Sequence, residues 1–309
     1  MRVLFWGTPE FAAPALRALV GEGFDVVGVV TQPDKPQGRS RSELVPSPVK
    51  SVALEEDIPV LQPDRPRGEE FLRSLRALAP DISVVVAYGH VLPLDAITLP
   101  RLGTLNIHAS LLPALRGAAP VQAAIRDGFS ETGVTIMRMV EALDAGPILL
   151  QETVPILPDE TYGELQLRLA ELGAQALIEA LTLVDAGASR EVEQDATRAT
   201  YAPKVTREMA RINWTRSATD IARLIRAYDP KPGAWTVLRG AETRVAGVRV
   251  VAGRMGQPGE VLSADKTGIC AAAGADAVLI GFAQPAGKKR LSAQELVGGR
   301  LVAAGDVLQ

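Results

Sequence analysis

The run Ile82–Gly89, ISVVVAYG, is the feature that most restricts how this chain can fold. It is apolar at nearly every position, whereas a strand with one face in water alternates apolar and polar residues. It therefore predicts a strand buried on both faces. Further strand-like runs lie at Arg2–Trp6, Asp25–Gln32 and Thr104–Ser110, with helical patterns between them. This order predicts a doubly wound α/β domain with a mostly parallel, Rossmann-like sheet.

The pattern changes in the last third of the chain. Residues 187–203 are polar and lack apolar periodicity, so we interpret them as a linker between a domain at 1–186 and a second domain at 204–309. After a helix predicted at Ser217–Tyr228, five short strand-like runs follow, separated by Gly, Pro or Asp. Such short, punctuated strands predict a small OB-like β-barrel.

Charge is distributed unevenly along the chain. Residues 1–203 hold 17 Lys and Arg against 27 Asp and Glu, a net charge of −10, whereas residues 204–309 hold 16 against 9, a net charge of +7. A basic domain joined to an acidic one predicts a polyanionic partner for the basic domain, and OB-like barrels often bind nucleic acids. Charges scattered over solvated surfaces would give the same totals.

The composition argues against several kinds of site. Cys270 is the only cysteine, which excludes an internal disulfide and suits a reducing compartment, and one Cys with two His cannot supply a common zinc motif. The N-terminus does not resemble a signal peptide, and no run approaches the roughly 18 apolar residues that suggest a membrane helix. We expect a cytoplasmic protein with no metal site and no membrane association.

Three polar residues near predicted strand ends are the candidate catalytic group. Asn106 and His108 are two positions apart on one strand, so their side chains share a face. Asp144 follows the strand-like run GVTIMRMV in the turn ALDAGP. Because ligands of open α/β sheets bind beyond the carboxyl ends of strands, we expect these three side chains to meet in one cleft. Each residue alone could instead satisfy only local structure.

This set of side chains suits acyl transfer without an enzyme nucleophile. Such a reaction needs a group that stabilises an oxyanion and a group that accepts a proton. The sequence contains no GxSxG elbow, no Walker A motif and no GxGxxG fingerprint, so serine hydrolase, P-loop and nicotinamide chemistry are weakly supported.

A long connection interrupts the α/β pattern. Gln32–Pro48 carries four prolines and three basic residues, Lys35, Arg39 and Arg41, and exceeds the usual connection of about two to six residues. It is either a surface excursion or an arm that touches substrate.

Two long stretches, NIHASLLPALRGAAP and ETGVTIMRMVEALDAGPIL, closely resemble the folate-dependent formyltransferases. The resemblance covers nearly the whole chain and includes GTPEFAAPAL, LVPSPVK, YAPKVTREMARINW, RAYDPKPGAW and QPAGKKRLSAQE. The family pattern NxH, SLLP and Asp is met by Asn106, His108, Ser110–Pro113 and Asp144. Ala109 stands where some relatives have glycine.

The resemblance implies a donor, 10-formyltetrahydrofolate, and an acceptor, the α-amine of methionine esterified to initiator tRNA. It assigns Asn106 and His108 to the oxyanion, and assigns Asp144 to orienting His108 and taking the amine proton. No obligate protein partner is evident. The residues expected to bind the folate are Tyr88, Gly89, His90, Val91, Leu92, Ser110, Leu111, Leu112, Pro113 and Met139. Those expected to bind tRNA are Lys35, Arg39, Arg41, Lys204, Lys288, Lys289 and Arg290.

Three alternatives remain at this point. A related formyltransferase could act on an amino-sugar nucleotide or a small ribonucleotide, a hydrolase could release formate from the same folate, and a non-catalytic protein could bind RNA through the basic domain. The related formyltransferase would have less need of a basic barrel or a basic arm, and an intact Asn, His and Asp set argues against the non-catalytic protein.

Overall fold

The computed structural model describes residues 1–37 and 43–309. The chain divides into two compact units. The N-terminal unit contains residues 1–117, 132–154 and 166–201, and the C-terminal unit contains 118–131, 155–165 and 202–309. The C-terminal unit thus includes two segments that precede residue 186, at 118–131 and 155–165.

Strands and helices alternate through residue 185. In chain order they are β1 (Arg2–Gly7), α1 (Ala13–Gly21), β2 (Asp25–Val30), β3 (Lys35–Gln37), β4 (Glu43–Val45), α2 (Pro48–Glu55), β5 (Val60–Leu61), α3 (Glu69–Ala77), β6 (Ile82–Val86), α4 (Leu94–Ile97), β7 (Thr104–His108), α5 (Pro120–Arg126), β8 (Glu131–Arg138), β9 (Ile148–Pro155) and α6 (Tyr162–Asp185).

A seven-stranded sheet with the order β5-β2-β1-β6-β7-β8-β9 organises the N-terminal unit. The first five strands in this order are mutually parallel, and β8 runs antiparallel to β7. Every residue of β6 is buried, as the apolar run predicts. The predicted doubly wound, mostly parallel fold is confirmed.

One local expectation is corrected. Thr8, followed by Pro9 and Glu10, has the sequence pattern of a helix N-cap, but the chain first makes a 3-10 turn at Glu10–Ala12, and the N-cap residue of this turn, Pro9, has no side-chain cap. The Thr8 hydroxyl instead donates to the Tyr88 carbonyl at 3.0 Å, because the carboxyl ends of β1 and β6 lie side by side. In the long connection, β3 and β4 pair antiparallel. The expectations for Arg39 and Arg41 lie outside the described residues.

The C-terminal unit is built on a second, antiparallel sheet. After residue 204 its elements are α7 (Ala218–Tyr228), β10 (Trp235–Leu238), β11 (Ala241–Val251), β12 (Val261–Asp265), β13 (Gly268–Ala272), β14 (Ala277–Pro285), β15 (Leu291–Ser292) and α8 (Ala293–Gly298). The strand order is β10-β11-β14-β13-β12, with β15 paired to β14. All five predicted strands are present.

The chain terminus joins the two edges of this sheet. Val261 donates to the Asp306 carbonyl at 2.8 Å beside β12, and Val237 in β10 exchanges two backbone hydrogen bonds with Gln309. A sheet whose edges are bridged in this way closes into a barrel and leaves fewer unpaired backbone groups. Ile221 and Ile225 of α7 pack with Val245 and Ile280 in its core.

Serine caps fix where two of these helices begin. The Ser217 hydroxyl accepts from the Asp220 amide ahead of α7, and Ser292 with Glu295 forms a complete capping box ahead of α8. Across the described ranges, no helix is both long enough and apolar enough to span a bilayer.

Candidate active site

The imidazole of His108 and the carboxylate of Asp144 face each other in the N-terminal unit. His108 Nδ1 lies 3.7 Å from Asp144 Oδ2, and the two side chains are only 6% and 14% exposed. Asn106 precedes His108 by two residues on β7. The predicted approach of Asp144 to the β7 histidine is thus present in the structure.

The reason for this proximity differs from the one expected. Because β8 is antiparallel to β7, Arg138 at the carboxyl end of β8 lies opposite Leu105, near the amino end of β7. The carboxyl end of β8 therefore lies beside the amino end of β7, away from the carboxyl end of β7. Asp144 reaches His108 because the connection from β8 to β9 turns back toward the carboxyl end of β7.

Hydrogen bonding distinguishes the two ring nitrogens of His108. Nε2 lies 3.0 Å from the Leu115 carbonyl oxygen, which can only accept, so Nε2 carries the hydrogen. In the neutral ring Nδ1 then has a free lone pair, and Asp144 Oδ2 lies 3.7 Å from this nitrogen. Burial lowers the pKa of His108 below its usual 6.5, and the Arg116 cation acts in the same direction, while Asp144 and the Leu115 carbonyl oppose the shift.

Asp144 is held by a backbone hydrogen bond and by its own conformation. Its Oδ2 accepts a 2.7 Å hydrogen bond from the Gly117 amide. Its own φ is +48°, in the left-handed region that Asp tolerates better than most residues. A residue kept in this region by its surroundings is characteristic of functional sites.

The Asn106 amide is partly committed to the sheet. Its Nδ2 donates to the Val85 carbonyl of β6 at 3.0 Å, across the register pair that joins β6 to β7. An amide nitrogen carries two hydrogens, so one N–H is oriented by this contact and the other can be donated to a reacting group.

The SLLP segment after β7 is fixed mainly through its backbone. The Ser110 hydroxyl donates to the Ala114 carbonyl at 2.6 Å, and the Thr135 hydroxyl donates to the Ser110 carbonyl at 2.7 Å. Gln151 donates to the Leu112 carbonyl at 2.9 Å. Ser110 and Leu112 are buried, whereas Leu111 and Pro113 are half-buried and thus the more accessible members of the predicted folate set.

The predicted folate segment Tyr88–Leu92 follows β6. Tyr88 is 2% exposed and packs edge-on against Trp6, with 5.4 Å between ring centroids. Burial raises the pKa of Tyr88 to about 12, and its hydroxyl has no hydrogen-bond partner in the described part of the chain. Val91 is 87% exposed, and Leu92 is buried in the cluster against which Met139 packs.

The remaining members of this segment differ in exposure and backbone. Gly89 has φ +90°, and a Cβ there would collide with the Gln32 amide. His90 is exposed and its ring centroid lies 5.6 Å from that of Tyr88. The structure thus brings Tyr88, Leu92 and Met139 to one apolar cluster and leaves His90 and Val91 on the surface.

The predicted tRNA-binding cations are exposed where the structure describes them. Lys35 lies in the N-terminal unit and donates to Gln32 Oε1 at 2.8 Å. Lys204 and Lys288 are exposed in the C-terminal unit. Two neighbours are partly neutralised, since Lys289 lies 3.7 Å from Glu295 and Arg290 lies 3.2 Å from Asp229. In residues 1–37 and 43–309, no group of three or more His, Cys, Asp or Glu could hold a metal ion.

Three residues that contact the site were missed from the sequence. Arg116 is 6% exposed, and both its Nε and Nη2 donate to Gln194 Oε1. The Thr200 hydroxyl accepts from the Leu115 amide at 2.9 Å. The position of Arg116 inside NIHASLLPALRGAAP was a usable signal, whereas nothing in the polar segment 187–203 distinguishes Gln194 or Thr200 before the chain path is known.

Comparison with known proteins identifies the family. A model described as formyl transferase matches residues 1–181, and a model described as formyl transferase, C-terminal domain, matches residues 204–301. A methionyl-tRNA formyltransferase of Aromatoleum aromaticum is 49% identical over 306 residues, which cover 99% of this chain and 96% of the relative. One from Pseudomonas fluorescens is 47% identical over 300 residues, covering 97% and 94%.

A solved structure shows the same fold at lower identity. HypX from Aquifex aeolicus in complex with tetrahydrofolic acid superposes with a TM-score of 0.67 at 20% identity, over 97% of this chain and 47% of HypX. This chain therefore spans about half the length of HypX. On the family models and the near full-length relatives, the chain belongs to the formyl transferase family and, within it, to the methionyl-tRNA formyltransferases.

Proposed function

We propose that this protein transfers a formyl group from 10-formyltetrahydrofolate to the α-amine of methionine carried by initiator tRNA. The observation that carries the chemistry is the buried pair of His108 and Asp144, whose Nδ1 and Oδ2 atoms lie 3.7 Å apart. Asn106 lies on the same strand as His108, two residues before it. The near full-length relatives named for this reaction support the acceptor.

We place the folate ring against the apolar cluster that contains Tyr88 and Leu92, where the half-buried Met139 packs. A planar ring system needs apolar walls with a few fixed polar groups. The bound folate would supply the formyl carbon and the nitrogen that leaves it. The residues of this chain then have to orient that carbon, stabilise the charge that develops on its oxygen and move one proton.

Asn106 is suited to the developing oxyanion. Its amide is oriented by Val85, and the second N–H can be donated to the formyl oxygen. A donor aimed where charge appears is typically worth a factor of about 100 to 1,000 in rate. His108 contributes differently, because its only N–H in the neutral ring is bound to Leu115.

His108 acts as the proton acceptor in this proposal. The methionyl amine attacks as the neutral base, forms the new C–N bond and gives up one proton to His108 Nδ1. Asp144, at 3.7 Å, stabilises the resulting imidazolium. The same proton then passes to the departing folate nitrogen as its bond to the formyl carbon breaks, so His108 ends neutral and the reaction balances without a covalent enzyme intermediate.

The basic C-terminal region supports a polyanionic acceptor. Its residues 204–309 carry a net charge of +7, and Lys204 and Lys288 are exposed there. An amino-sugar nucleotide acceptor or a formate-releasing hydrolase would not require this surface. Relatives at 47–49% identity along almost the full chain also carry a tRNA formylation name.

The test is a formylation assay with competing acceptors. The protein is incubated with 10-formyltetrahydrofolate and either methionyl initiator tRNA, uncharged tRNA or an amino-sugar nucleotide, and formyl-methionine, formyl-sugar and free formate are measured. We expect formyl-methionine to dominate, and His108→Gln, which keeps a polar side chain but no base, to lose at least about 100-fold in rate. Formyl-sugar or free formate as the main product would reject the proposal.

A further inference from the structure

We propose that Gln194 and Thr200 are positioning residues that set the geometry of the catalytic pair. Neither is expected to touch substrate. The inference rests on the proposed function, because it depends on the roles given there to His108 and Asp144. Gln194 and Thr200 belong to residues 187–203, which the sequence pattern suggests are only a linker.

Gln194 holds the backbone that carries Asp144. Its Nε2 donates to the Asp144 carbonyl at 2.9 Å and to the Gly146 carbonyl at 2.8 Å. Its Oε1 accepts from Arg116 Nε at 3.1 Å and from Arg116 Nη2 at 2.6 Å. Both hydrogens and both lone pairs of one amide are therefore used to join the Asp144 turn to Arg116.

Thr200 holds the backbone that orients His108. Its hydroxyl accepts from the Leu115 amide at 2.9 Å, and its carbonyl accepts from the Arg116 amide at 2.8 Å. The Leu115 carbonyl is the group that accepts from His108 Nε2. Thr200 therefore holds the peptide groups on both sides of the Leu115 Cα. The Leu115 carbonyl placed in this way fixes the His108 tautomer that leaves Nδ1 free to accept a proton.

One short segment thus controls both partners of the catalytic pair. Its amino end is tied to β9 by two backbone hydrogen bonds between Val192 and Ile148, of 2.8 and 2.9 Å. Gln194 then determines where the Asp144 turn lies, and Thr200 determines which way the His108 ring is turned. A catalytic pair at 3.7 Å is sensitive to such support, since a displacement of about 1 Å can cost about 100-fold in rate.

The amide at position 194 also suits the charge of the site. Arg116 is buried, and no salt bridge to it is found in the described ranges. A carboxylate at 194 would pair with Arg116, but it would repel the Asp144 and Gly146 carbonyls that the amide now binds. Gln194→Glu therefore keeps the contact with Arg116 and removes the two donors, which separates positioning from simple packing.

The test compares five variants of the whole 309-residue chain. Gln194→Ala, Gln194→Glu and Thr200→Val are assayed with Thr200→Ser, which retains the hydroxyl, and with Gln175→Ala on the exposed face of α6 as the matched control. Formylation is measured at saturating folate and methionyl-tRNA, together with KM for tRNA and the thermal midpoint.

We expect the first three variants to lose about 10- to 100-fold in kcat, with less than about a twofold change in KM for tRNA. Thr200→Ser should recover most of the loss, and Gln175→Ala should behave as the unchanged protein. Normal kcat in folded Gln194→Glu and Thr200→Val, or a loss expressed only in the thermal midpoint, would overturn the inference. If Gln194→Ala does not fold, the Thr200→Val and Thr200→Ser pair decides.

These outcomes are separable from failure of the proposed function. If the unchanged protein does not formylate methionyl-tRNA, the function is wrong. If it does so and the Gln194 and Thr200 variants match it, only the positioning role is wrong.

Discussion

At the scale of single residues, the two nitrogens of His108 have different tasks. Nε2 donates to Leu115 and fixes the ring, while Nδ1 faces Asp144. Burial is the largest influence on the ring and favours its neutral form, which is the form able to accept a proton from an amine. The same arrangement allows Asp144 to stabilise the charge only once it has formed.

This arrangement predicts a pKa for His108 below 6.5. The His90→Gln variant leaves His108 as the only histidine, so its imidazole signals can be followed by NMR from pH 4 to 8 without overlap. Asp144→Asn removes the charge that raises the pKa of His108 and should move it lower still. A His108 pKa above 6.5, or an upward shift in Asp144→Asn, would contradict the assignment.

The same shift has a defined effect on stability. Above pH 6.5 neither the folded nor the unfolded chain holds the His108 proton, so this residue adds no pH dependence. As the pH falls below 6.5, the unfolded chain binds a proton that the folded protein excludes, and the free energy of unfolding decreases. Urea unfolding at pH 7.5 and 5.5 should show a smaller decrease in His108→Gln than in the unchanged protein.

Part of the candidate site can be predicted from the sequence, and the contacts that cannot be predicted have a physical reason. Spacing along one strand predicts that Asn106 and His108 share a face. The sequence predicts the contact between His108 and Asp144 on the assumption that both follow the carboxyl ends of parallel strands. In the structure β8 is antiparallel to β7, and the contact arises because the chain turns back after β8. Gln194 lies 50 residues beyond Asp144, and no local pattern indicates that such distant segments meet.

At the scale of elements, the close approach of β8 and β9 near the candidate site determines which residue can stand at position 133. Gly133 lies in β8, two residues before Thr135, which pairs with His108. A Cβ at Gly133 would overlap the Glu152 carbonyl of β9 and lie 2.6 Å from a methyl group of Leu111. The glycine is therefore required by the packing of β9 and the SLLP segment, and its backbone needs no positive φ.

Gly133→Ala should consequently destabilise the protein by at least about 1–3 kcal/mol, the usual cost of overpacking. Gly21→Ala is the matched control, because a Cβ there meets nothing within 4 Å and Gly21 lies at the end of α1. That variant should be unchanged or up to about 1 kcal/mol more stable. Equal free energies of unfolding for the two variants, measured by urea titration, would show that β9 can move away.

Most elements follow from local sequence because buried strands and capped helices have strong signals. Ser47-Pro48 predicts the start of α2, and Ser47 does accept the capping hydrogen bond from Lys50. Thr8 is likewise followed by a proline, but it caps no helix, because its hydroxyl donates to the carbonyl of Tyr88, which follows the neighbouring strand β6. A cap is a local interaction only where no tertiary partner competes for the side chain.

At the scale of the whole molecule, the positive net charge and the candidate active site lie in different parts of the chain. The buried His108–Asp144 pair, to which we assign the chemistry, lies in the first 203 residues, which carry a net charge of −10, and the last 106 residues carry +7. A net negative charge would repel the phosphates of a tRNA, so our proposal assigns the affinity for tRNA to the basic region. That affinity is electrostatic and should depend on salt, because each neutralised phosphate releases counterions.

Lys288 and Lys289 are the sharpest test of this division. The Lys288 side chain makes no ion pair in the described part of the chain, and Lys289 is only loosely paired with Glu295 at 3.7 Å. We expect Lys288→Gln with Lys289→Gln to weaken tRNA binding. The slope of log affinity against log salt should also fall by about 1 for each phosphate that the variant no longer neutralises.

The control removes the same charge from the acidic region. Arg17→Gln with Arg76→Gln deletes two exposed arginines that are paired with Glu55 and Glu69 in the N-terminal unit. If affinity followed net charge alone, both double variants would change the salt dependence equally. If the basic surface binds the phosphates, only the lysine pair changes the slope, while the rate of formyl transfer at saturating tRNA stays the same in both, because neither pair touches His108 or Asp144. A binding titration at five salt concentrations between 50 and 300 mM distinguishes the two cases.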